Sequence, residues 1–285
     1  MKKVVITGAS GFVGKSLTGY FERHGIPYIA ISHNRLSVCA IQEDLQRKLL
    51  EELKVFRPDT FIHLAWRVEA NKWEQAESQE EFINITSKFL ELLKECDIKQ
   101  TIGIGSCLEY ESSFLPLSEY SSENRGIEYT RDKLAMKNVF GNHATTHGYI
   151  NSWVRFFYIY GPNDVSDRLI PRVAHLSNQN EDILLKNPFI KLDYLNVQDA
   201  TEAVVKIALE RCGGTINVGS GTPVTPREIT DQICHLKNSK SRIIDLQSSR
   251  IKHRGYVSDN SLLCSLGWAP KISLEEGLRK FLSYK

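Results

Sequence analysis

The 285-residue sequence lacks an excess of charge of either sign. It contains 36 lysine and arginine residues and 34 aspartate and glutamate residues, so its formal net charge is only +2. Proteins that bind nucleic acid through its phosphates usually carry a strongly basic patch or stripe. This near balance of charge argues against nucleic acid as a partner.

Long apolar runs are also absent. No stretch approaches the roughly 20 apolar residues that a membrane span needs. Lys2 and Lys3 precede a short apolar stretch, but a glycine-rich segment interrupts it before it reaches the length of a signal peptide. We therefore expect no membrane partner and a cytoplasmic location.

The cysteines show no pattern of a disulfide framework or a metal site. They form no C-x-x-C pair, and none has a histidine at metal-ligand spacing. Reduced and mostly buried thiols are the expectation, with no metal bound. The six cysteines are Cys39, Cys96, Cys107, Cys212, Cys234 and Cys264.

What the sequence does contain is a glycine-rich turn near its start, GASGFVGK at residues 8–15. It follows the apolar run Val4-Val5-Ile6 and precedes apolar residues at helical spacing. Glycines between a strand and a helix let a ligand approach the backbone, and the helix N-terminus favours a pyrophosphate. The spacing Gly8-x-x-Gly11-x-x-Gly14 differs from the G-x-G-x-x-G fingerprint, so a tight turn without a ligand stays open here.

Short apolar runs alternate with amphipathic segments through the first 160 residues. This order is typical of βαβ units and predicts a parallel sheet with helices on both faces, in which ligands bind at the carboxyl ends of the strands. The strands are expected at 27–32, 38–42, 61–66, 101–106 and 153–160, and the helices at 46–56, 77–96 and 129–147.

After Gly161-Pro162 the elements become shorter. Strands are expected at 190–197 and 215–218, and helices near 171–176, at 199–210, from Thr225-Pro226 and from Ser273, where Ser273-Leu-Glu-Glu276 reads as a capping box. We expect a dinucleotide-binding domain over 1–162 and a smaller α/β substrate domain over 163–285, with about 190–212 returning to the first sheet. No repeat or low-complexity linker separates the two halves.

Three polar side chains are placed to carry chemistry. Tyr129 and Lys133 stand four residues apart on a predicted helix and project from one face, and Ser106 ends a predicted strand. A lysine ammonium beside a phenol is expected to lower the tyrosine pKa toward neutrality, which makes a usable general acid or base. Above a bound dinucleotide, these groups suit hydride transfer to or from a carbonyl carbon.

The sequence resembles the extended short-chain dehydrogenases/reductases, in the nucleotide-sugar epimerase, dehydratase and reductase family, over nearly its whole length. The resemblance implies a Rossmann-type doubly wound parallel sheet. It rests on GASGFVG, Arg57-Pro-Asp-Thr-Phe-Ile-His-Leu-Ala65, Asn84, Gly105-Ser-Cys-Leu-Glu-Tyr110, Tyr129-x-x-x-Lys133, Arg155-Phe-Phe-Tyr-Ile-Tyr-Gly-Pro162, Asp193-Tyr-Leu-Asn-Val-Gln-Asp199, Asn217-Val-Gly-Ser220, Asp259 and Leu266-Gly-Trp268-x-Pro270.

By this resemblance Ser106, Tyr129 and Lys133 form the catalytic triad. Tyr129 would exchange the proton, Ser106 would polarise the substrate oxygen, and Lys133 would tune Tyr129 and hold the nicotinamide ribose. The family also implies a homodimer through two helices, with Phe82, Ile85, Phe89, Leu92, Leu134 and Val139 as candidates for its apolar surface or for intramolecular core. The implied cofactor contacts are Gly8, Ser10, Gly11, Phe12, Val13, Gly14, Ser32, Asn34, Arg35, Asp44, Leu45, Leu64, Ala65, Tyr129, Lys133 and Phe156.

Two departures from the family pattern narrow the reaction. The 4,6-dehydratases carry an Asp-Glu pair directly after the catalytic hydroxyl residue, whereas this sequence has Cys107-Leu108, so dehydration is not expected.

NAD-binding members place an acidic residue at the end of the second strand, but the sequence reads Ser32-His33-Asn34-Arg35. Because Arg35 can pair with a 2′-phosphate, NADPH is favoured over NAD. Asp44-Leu45, after the predicted third strand, fits the family's adenine contact.

The substrate side is less well marked. Leu192 stands where family members often have arginine, Lys191 would face the opposite side, and Arg250 and Arg254 are better candidates for a substrate pyrophosphate. Trp66, Arg67, Cys107 and Tyr158 are candidates to border the sugar.

A consumed NADPH favours a reductase of a nucleotide-linked 4-keto-6-deoxyhexose. The alternatives are a nucleotide-sugar 4-epimerase with tightly held NAD and a non-catalytic NADP-binding regulatory protein.

Overall fold

A computed structural model describes residues 1–39, 42–66, 77–164, 167–246 and 254–284 of the chain. Its centre is a six-stranded parallel sheet in the order β2-β1-β3-β4-β5-β9. All residues of β1 and β3 are buried, including the polar Thr7, Thr60 and His63, which accords with a sheet covered on both faces. The six strands are β1 Val4–Thr7, β2 Tyr28–Ile31, β3 Thr60–His63, β4 Gln100–Ser106, β5 Ile150–Phe156 and β9 Gly214–Val218.

Helices cover both faces of this sheet. Val4 and Ile6 pack into a core with α1 and α7, whereas Val5 points into a second core with α2, α3, α4 and α5. Within the described residues, none of the helices is both long and apolar enough to cross a bilayer. These helices are α1 Phe12–Arg23, α2 His33–Cys39, α3 Glu43–Phe56, α4 Glu80–Leu93, α5 Glu128–His147 and α7 Val197–Glu210.

The remaining elements build two small sheets and a third apolar core. One sheet has the order β10-β8-β6 and the other pairs β11 with β7. Capping by the Thr225 and Glu228 side chains starts α8 at the predicted place, and Ser273 Oγ accepts from the Glu276 N–H at the start of α10. These elements are β6 Tyr158–Tyr160, β7 Ile183–Leu185, β8 Leu192–Asn196, β10 Pro223–Val224, β11 Ile243–Asp245, α6 Leu169–Gln179, α8 Pro226–Leu236, α9 Ser261–Ser265 and α10 Leu274–Ser283.

The predicted doubly wound α/β architecture is confirmed, but the strand expected at 38–42 was wrong. Residues 38 and 39 end helix α2, which starts because Ser32 caps it: Ser32 Oγ accepts from the Arg35 N–H at 3.2 Å. Helix α3 already begins at Glu43, with Glu43 and Asp44 at its positive end. Residues 40–41 lie outside the described part of the chain.

The single strand expected at 153–160 is divided in two. Strand β5 pairs with β9 as far as Phe156, and β6 then pairs with β8 in the three-stranded sheet. Phe157 lies between them and donates its N–H to the Val218 carbonyl at 3.1 Å. The chain thus leaves the main sheet at the point where a ligand is expected.

Two expectations about apolar side chains change. All five cysteines with described side chains are free thiols, but only Cys107 is buried. The expectation that most of the thiols are buried was therefore wrong.

The residues expected to contribute to a dimer lie mostly in the core of the single chain. Phe82, Ile85, Phe89, Leu92 and Leu134 are buried there, and Val139 packs against the core. They therefore leave little exposed apolar surface for a second copy.

Candidate functional site

The glycine turn joins β1 to α1 at the carboxyl edge of the sheet. Gly8 has a φ of +74°, and a Cβ there would lie 2.6 Å from the Ala65 nitrogen. A Cβ on Gly14 would lie 2.1 Å from the Gly8 carbonyl oxygen. These two glycines are therefore required by close backbone packing, which also brings Leu64 and Ala65 against the turn.

The end of α1 that follows the turn is open to a ligand. Gly11 is the N-cap residue, no described side chain caps the helix, and Ser10 and Gly11 are exposed. The first N–H groups of a helix have no intrahelical acceptors and form the positive end of its dipole. The Gly11 N–H donates to the Gly8 carbonyl at 3.1 Å. The cradle fits a dinucleotide pyrophosphate, with Ser10 and the N–H groups of Phe12 and Val13 as its donors and Gly11 beside them.

The predicted contacts to the adenosine end lie at the carboxyl end of β2. Ser32 and Asn34 are exposed there, and Arg35 lies in the first turn of α2. The Arg35 guanidinium already has a partner, because it pairs with both carboxylate oxygens of Glu52 on α3. A 2′-phosphate would therefore compete with Glu52 for Arg35. Asp44 and Leu45 lie in the first turn of α3, both on the surface, and not after a strand.

Ser106 ends β4 and is held by the turn that follows it. It caps the short 3₁₀ helix Cys107–Glu109: Ser106 Oγ accepts from the Leu108 N–H at 3.2 Å, and the Ser106 N–H donates to Glu109 Oε1 at 2.7 Å. This reciprocal pair fixes where the Ser106 hydroxyl stands.

Glu109 is a residue that the sequence analysis missed. Its side chain is fully buried, and Oε2 accepts from Trp153 Nε1 at 2.9 Å and from Arg155 Nε at 2.7 Å on β5. The Arg155 guanidinium donates in turn to Glu123 Oε1 at 3.0 Å. A buried carboxylate that accepts hydrogen bonds on both oxygens is held in one position. Glu109 therefore links Ser106 to the neighbouring strand.

Tyr129 and Lys133 lie in the first two turns of α5, as predicted. Burial raises the pKa of the Tyr129 hydroxyl, and hydrogen bonding from Ser106 only partly opposes this. The expected lowering of the Tyr129 pKa by Lys133 was wrong for this state, because the Lys133 ammonium donates to the Ile104 carbonyl at 2.7 Å. Burial lowers the pKa of Lys133 itself to about 7. Tyr129 thus holds its proton at neutral pH.

Trp66 covers this pair. Its ring lies 3.9 Å from Lys133 Nζ and stands edge-on to the Tyr129 ring at 6.3 Å between centroids. Trp66 Nε1 is buried without a hydrogen-bond partner in the described structure. The indole therefore borders the triad and offers an unused donor at the place predicted for the sugar. Arg67 lies outside the described residues.

His63 was also missed as a site residue, although it lies in the matching stretch 57–65. It ends β3 beneath the triad, and its Nδ1 hydrogen bonds Thr7 Oγ1 at the end of β1 at 2.8 Å. Burial, together with the nearby Lys133 charge, lowers the pKa of His63 to about 3. The ring is neutral at neutral pH and packs against the Phe82 ring of α4 and the Phe140 ring of α5.

An aromatic wall lies on the substrate side of Ser106. Cys107 is buried against Tyr110 and Phe157, with Tyr158 and Tyr256 partly buried beside them. The rings of Tyr158 and Tyr194 lie 5.3 Å apart, and the nearby Phe156 is buried at the end of β5. Burial raises the pKa of the Cys107 thiol, so the protonated side chain contributes shape and no charge.

Only part of the predicted pyrophosphate site can be placed. Arg254 is exposed and its guanidinium lies 5.5 Å from the centroid of the Phe114 ring, whereas Arg250 lies outside the described residues. Asp193, which follows Leu192, is fully buried and accepts from the N–H and hydroxyl groups of Ser220 and Ser258. Asp193 therefore ties β8 to two loops and leaves no free charge for a ligand.

Comparison with known proteins decides the family. The sequence pattern of the NAD dependent epimerase/dehydratase family matches residues 4–219. The chain belongs to this family.

Two relatives cover almost the whole chain at low identity. CDP-abequose synthase of Salmonella muenchen is 23% identical over 300 residues, which cover 100% of this chain and 98% of the relative. GDP-6-deoxy-D-mannose reductase of Pseudomonas aeruginosa is 24% identical and covers 99% and 96%. Among solved structures, UDP-glucose 4-epimerase of Thermus thermophilus in complex with NAD superimposes with a TM-score of 0.82 at 17% identity, covering 99% and 98%.

In this epimerase/dehydratase family member, the two residues after Ser106 carry no carboxylate. Cys107 and Leu108 face an apolar pocket, and the first acid along the chain, Glu109, is turned away into the core and saturated with donors. An acid and base pair for removing water is therefore missing next to Ser106 in the described structure.

Proposed function

We propose that this enzyme reduces a nucleotide-linked 4-keto-6-deoxyhexose to the 4-hydroxy sugar with NADPH. One observation carries the proposal: a protonated Tyr129 stands beside Ser106 with no second acid or base after it. That equipment supplies one proton to one oxygen. It suits the reduction of a ketone and does not suit dehydration.

The cofactor would lie along the carboxyl edge of the sheet, with its pyrophosphate on the N-terminus of α1. Bound NADPH would supply the hydride that reduces the ketone carbon. Arg35 is the proposed partner of the 2′-phosphate, in exchange for Glu52, and Leu64 and Ala65 would border the dinucleotide. Lys133 would exchange its bond to the Ile104 carbonyl for the nicotinamide ribose.

Ser106 and Tyr129 would act on the ketone oxygen of the substrate. The Ser106 hydroxyl, held by Glu109 and the Leu108 N–H, would donate a hydrogen bond to the ketone oxygen. Tyr129 would transfer its proton to the same oxygen as negative charge develops there. The phenolate left behind would be stabilised by the nearby Lys133 ammonium and then take a proton from solvent.

The substrate class rests on the curated relatives and on the aromatic wall. The two relatives are named as a CDP-abequose synthase and a GDP-6-deoxy-D-mannose reductase. The wall formed by Tyr158, Tyr194 and Cys107 offers apolar contact, which a deoxygenated sugar tolerates better than a fully hydroxylated one. Arg254 is the proposed contact of the substrate pyrophosphate. The nucleotide is CDP, dTDP or GDP.

A panel of CDP-, dTDP-, GDP- and UDP-linked 4-keto-6-deoxysugars with NADPH tests the proposal. We expect loss of NADPH absorbance with one of them and a 4-hydroxy product. Tyr129→Phe is the matched control, since it keeps the ring against Trp66 and removes only the proton donor. Its kcat should fall by roughly 10²- to 10⁴-fold. No turnover with any ketosugar, or an unchanged rate in the variant, would refute the reduction.

One observation favours the second candidate, a nucleotide-sugar 4-epimerase. Arg35 is already paired with Glu52, and a carboxylate at this edge of the sheet suits the ribose hydroxyls of NAD better than a phosphate. Purified enzyme that carries NAD and interconverts two sugars without net use of NADPH would establish the epimerase instead.

We also propose a domain division, a cellular location and an oligomeric state for this enzyme. The chain divides into a dinucleotide-binding part and a substrate-binding part near residue 162, acts in the cytoplasm and forms a homodimer. The mass in solution by light scattering tests the homodimer.

A further inference from the structure

A second cluster of polar side chains lies far from the triad, where α4 and α5 end. Glu91 is in the last turn of α4, and His143 and His147 are one turn apart near the end of α5. His147 is eighteen residues beyond Tyr129 on the same helix, which places it about 27 Å away along the axis. The proposed reduction uses none of these three residues.

Three potential ligand atoms converge in this cluster. Glu91 Oε1 lies 3.1 Å from His143 Nε2 and 4.0 Å from His147 Nε2. The three atoms all lie within 4.8 Å of one another. Ligands at 2.0–2.1 Å from a tetrahedral Zn²⁺ stand about 3.3 Å apart. A small movement of the His147 side chain would therefore bring the three ligand atoms to the separations of a tetrahedral zinc site.

His143 is prepared to act as a ligand. Its side chain is 7% exposed, and its Nε2 atom points into the cluster without a hydrogen-bond partner of good geometry. Its other ring nitrogen, Nδ1, hydrogen bonds the Tyr149 hydroxyl. An outer partner of this kind fixes the ring and leaves the Nε2 lone pair free for a metal.

Lys94 orients the Glu91 carboxylate beside the two histidines. Lys94 pairs with the other carboxylate oxygen, Glu91 Oε2, at 3.0 Å and leaves Oε1 facing the histidines. The Glu91 Oε1 atom therefore lies on the same side of the cluster as the two imidazole nitrogens.

We propose that Glu91, His143 and His147 bind a divalent transition-metal ion, with Zn²⁺ as the best match to two imidazoles and one carboxylate. The ion joins the ends of α4 and α5 and stabilises the helix pair, with water in its fourth position. The ligands on α5 have the spacing His143-x-x-x-His147, with no cysteine nearby to mark a metal site. Its third ligand lies 52 residues earlier in the chain and is not visible as a motif.

Titration of metal-free, full-length protein with Zn²⁺ tests the site. We expect one ion to bind per chain, to raise Tm, and to be replaceable by Co²⁺ with the visible absorption of a tetrahedral site. His147→Ala and Glu91→Gln change exposed side chains and should fold normally. Each should weaken Zn²⁺ binding at least about tenfold, since even an outer partner is worth that much.

Matched controls separate this site from other ligands. His175→Ala removes an exposed histidine on α6, and Cys264→Ser removes the exposed thiol; both should bind Zn²⁺ as the parent protein does. Absence of binding by the parent protein, or unchanged affinity in His147→Ala and Glu91→Gln, would overturn the assignment. NADPH oxidation should be the same in all four variants, so failure of the proposed reductase activity would leave this test unaffected.

Discussion

Tyr129 shows at the residue scale how burial favours the protonated form of a phenol. The same low-polarity surroundings disfavour the phenolate of Tyr129 and the ammonium of Lys133, so the pKa of the first rises and that of the second falls to about 7. A tyrosine that keeps its proton is a donor until negative charge develops beside it. The free enzyme therefore holds the proton that the proposed reduction requires.

At the same scale, Arg35 is the residue that we propose to distinguish NADPH from NADH. Replacing it with alanine removes the only partner that we assign to the 2′-phosphate, so KM for NADPH should rise about tenfold, or about 1.4 kcal/mol. KM for NADH should stay the same. Steady-state kinetics with both cofactors measure the ratio.

Glu52→Gln is the matched partner variant. It frees the Arg35 guanidinium and removes a negative charge near the phosphate, so KM for NADPH should fall by roughly two- to fivefold, as for a surface ion pair. A rise in KM for NADPH in this variant, or equal changes for NADPH and NADH in Arg35→Ala, would contradict the assignment.

At the scale of elements, buried polar groups hold the carboxyl ends of the strands in register. Glu109 joins the turn after β4 to β5, and His63 joins β3 to β1 through Thr7. The Ser106 hydroxyl stands at one of these strand ends, whereas Tyr129 lies on α5. The links therefore support catalysis through position, without touching the substrate.

Glu109→Gln should destabilise the protein strongly. The amide keeps the shape but leaves the buried Arg155 without one of its two carboxylates, which costs about 3–5 kcal/mol. Urea unfolding measures this loss. Glu123→Gln, at the half-buried end of the same network, should cost only about 0–1 kcal/mol. Equal costs in the two variants would show that Glu109 is not the buried anchor.

His63 should make the free protein sensitive to acid. Its pKa is about 3 in the folded chain and near 6.5 when unfolded, so the unfolded state binds the extra proton between these values. Stability is therefore fully present above pH 6.5 and falls by up to about 1.4 kcal/mol per pH unit below it.

His63→Phe should flatten this dependence, because the ring remains among aromatic neighbours but no longer titrates. Urea unfolding between pH 7 and pH 5 compares the two proteins. Parallel loss of stability in both would mean that other groups cause the acid sensitivity.

At the scale of the whole molecule, the sequence predicted what short-range patterns encode. Apolar runs and helical spacing placed the main sheet, and the glycine turn, Ser106, Tyr129 and Lys133 each lie in a stretch that is readable by itself. The side-chain contacts between residues that are distant in the sequence could not be predicted. Glu109 and Arg155 are 46 residues apart, and Arg35 meets Glu52 from another helix. The strand expected at 38–42 failed because capping by Ser32 outweighed a short apolar run.

The central claim is that the whole enzyme uses the dinucleotide as a consumed reductant of a ketosugar. NADPH carrying deuterium at the transferable position of its nicotinamide C4, incubated with the panel of nucleotide-linked 4-keto-6-deoxysugars, tests it most directly. Mass spectrometry should find one deuterium in the 4-hydroxy product for each NADPH oxidised. A product without deuterium, formed while NADPH remains unoxidised, would contradict the account.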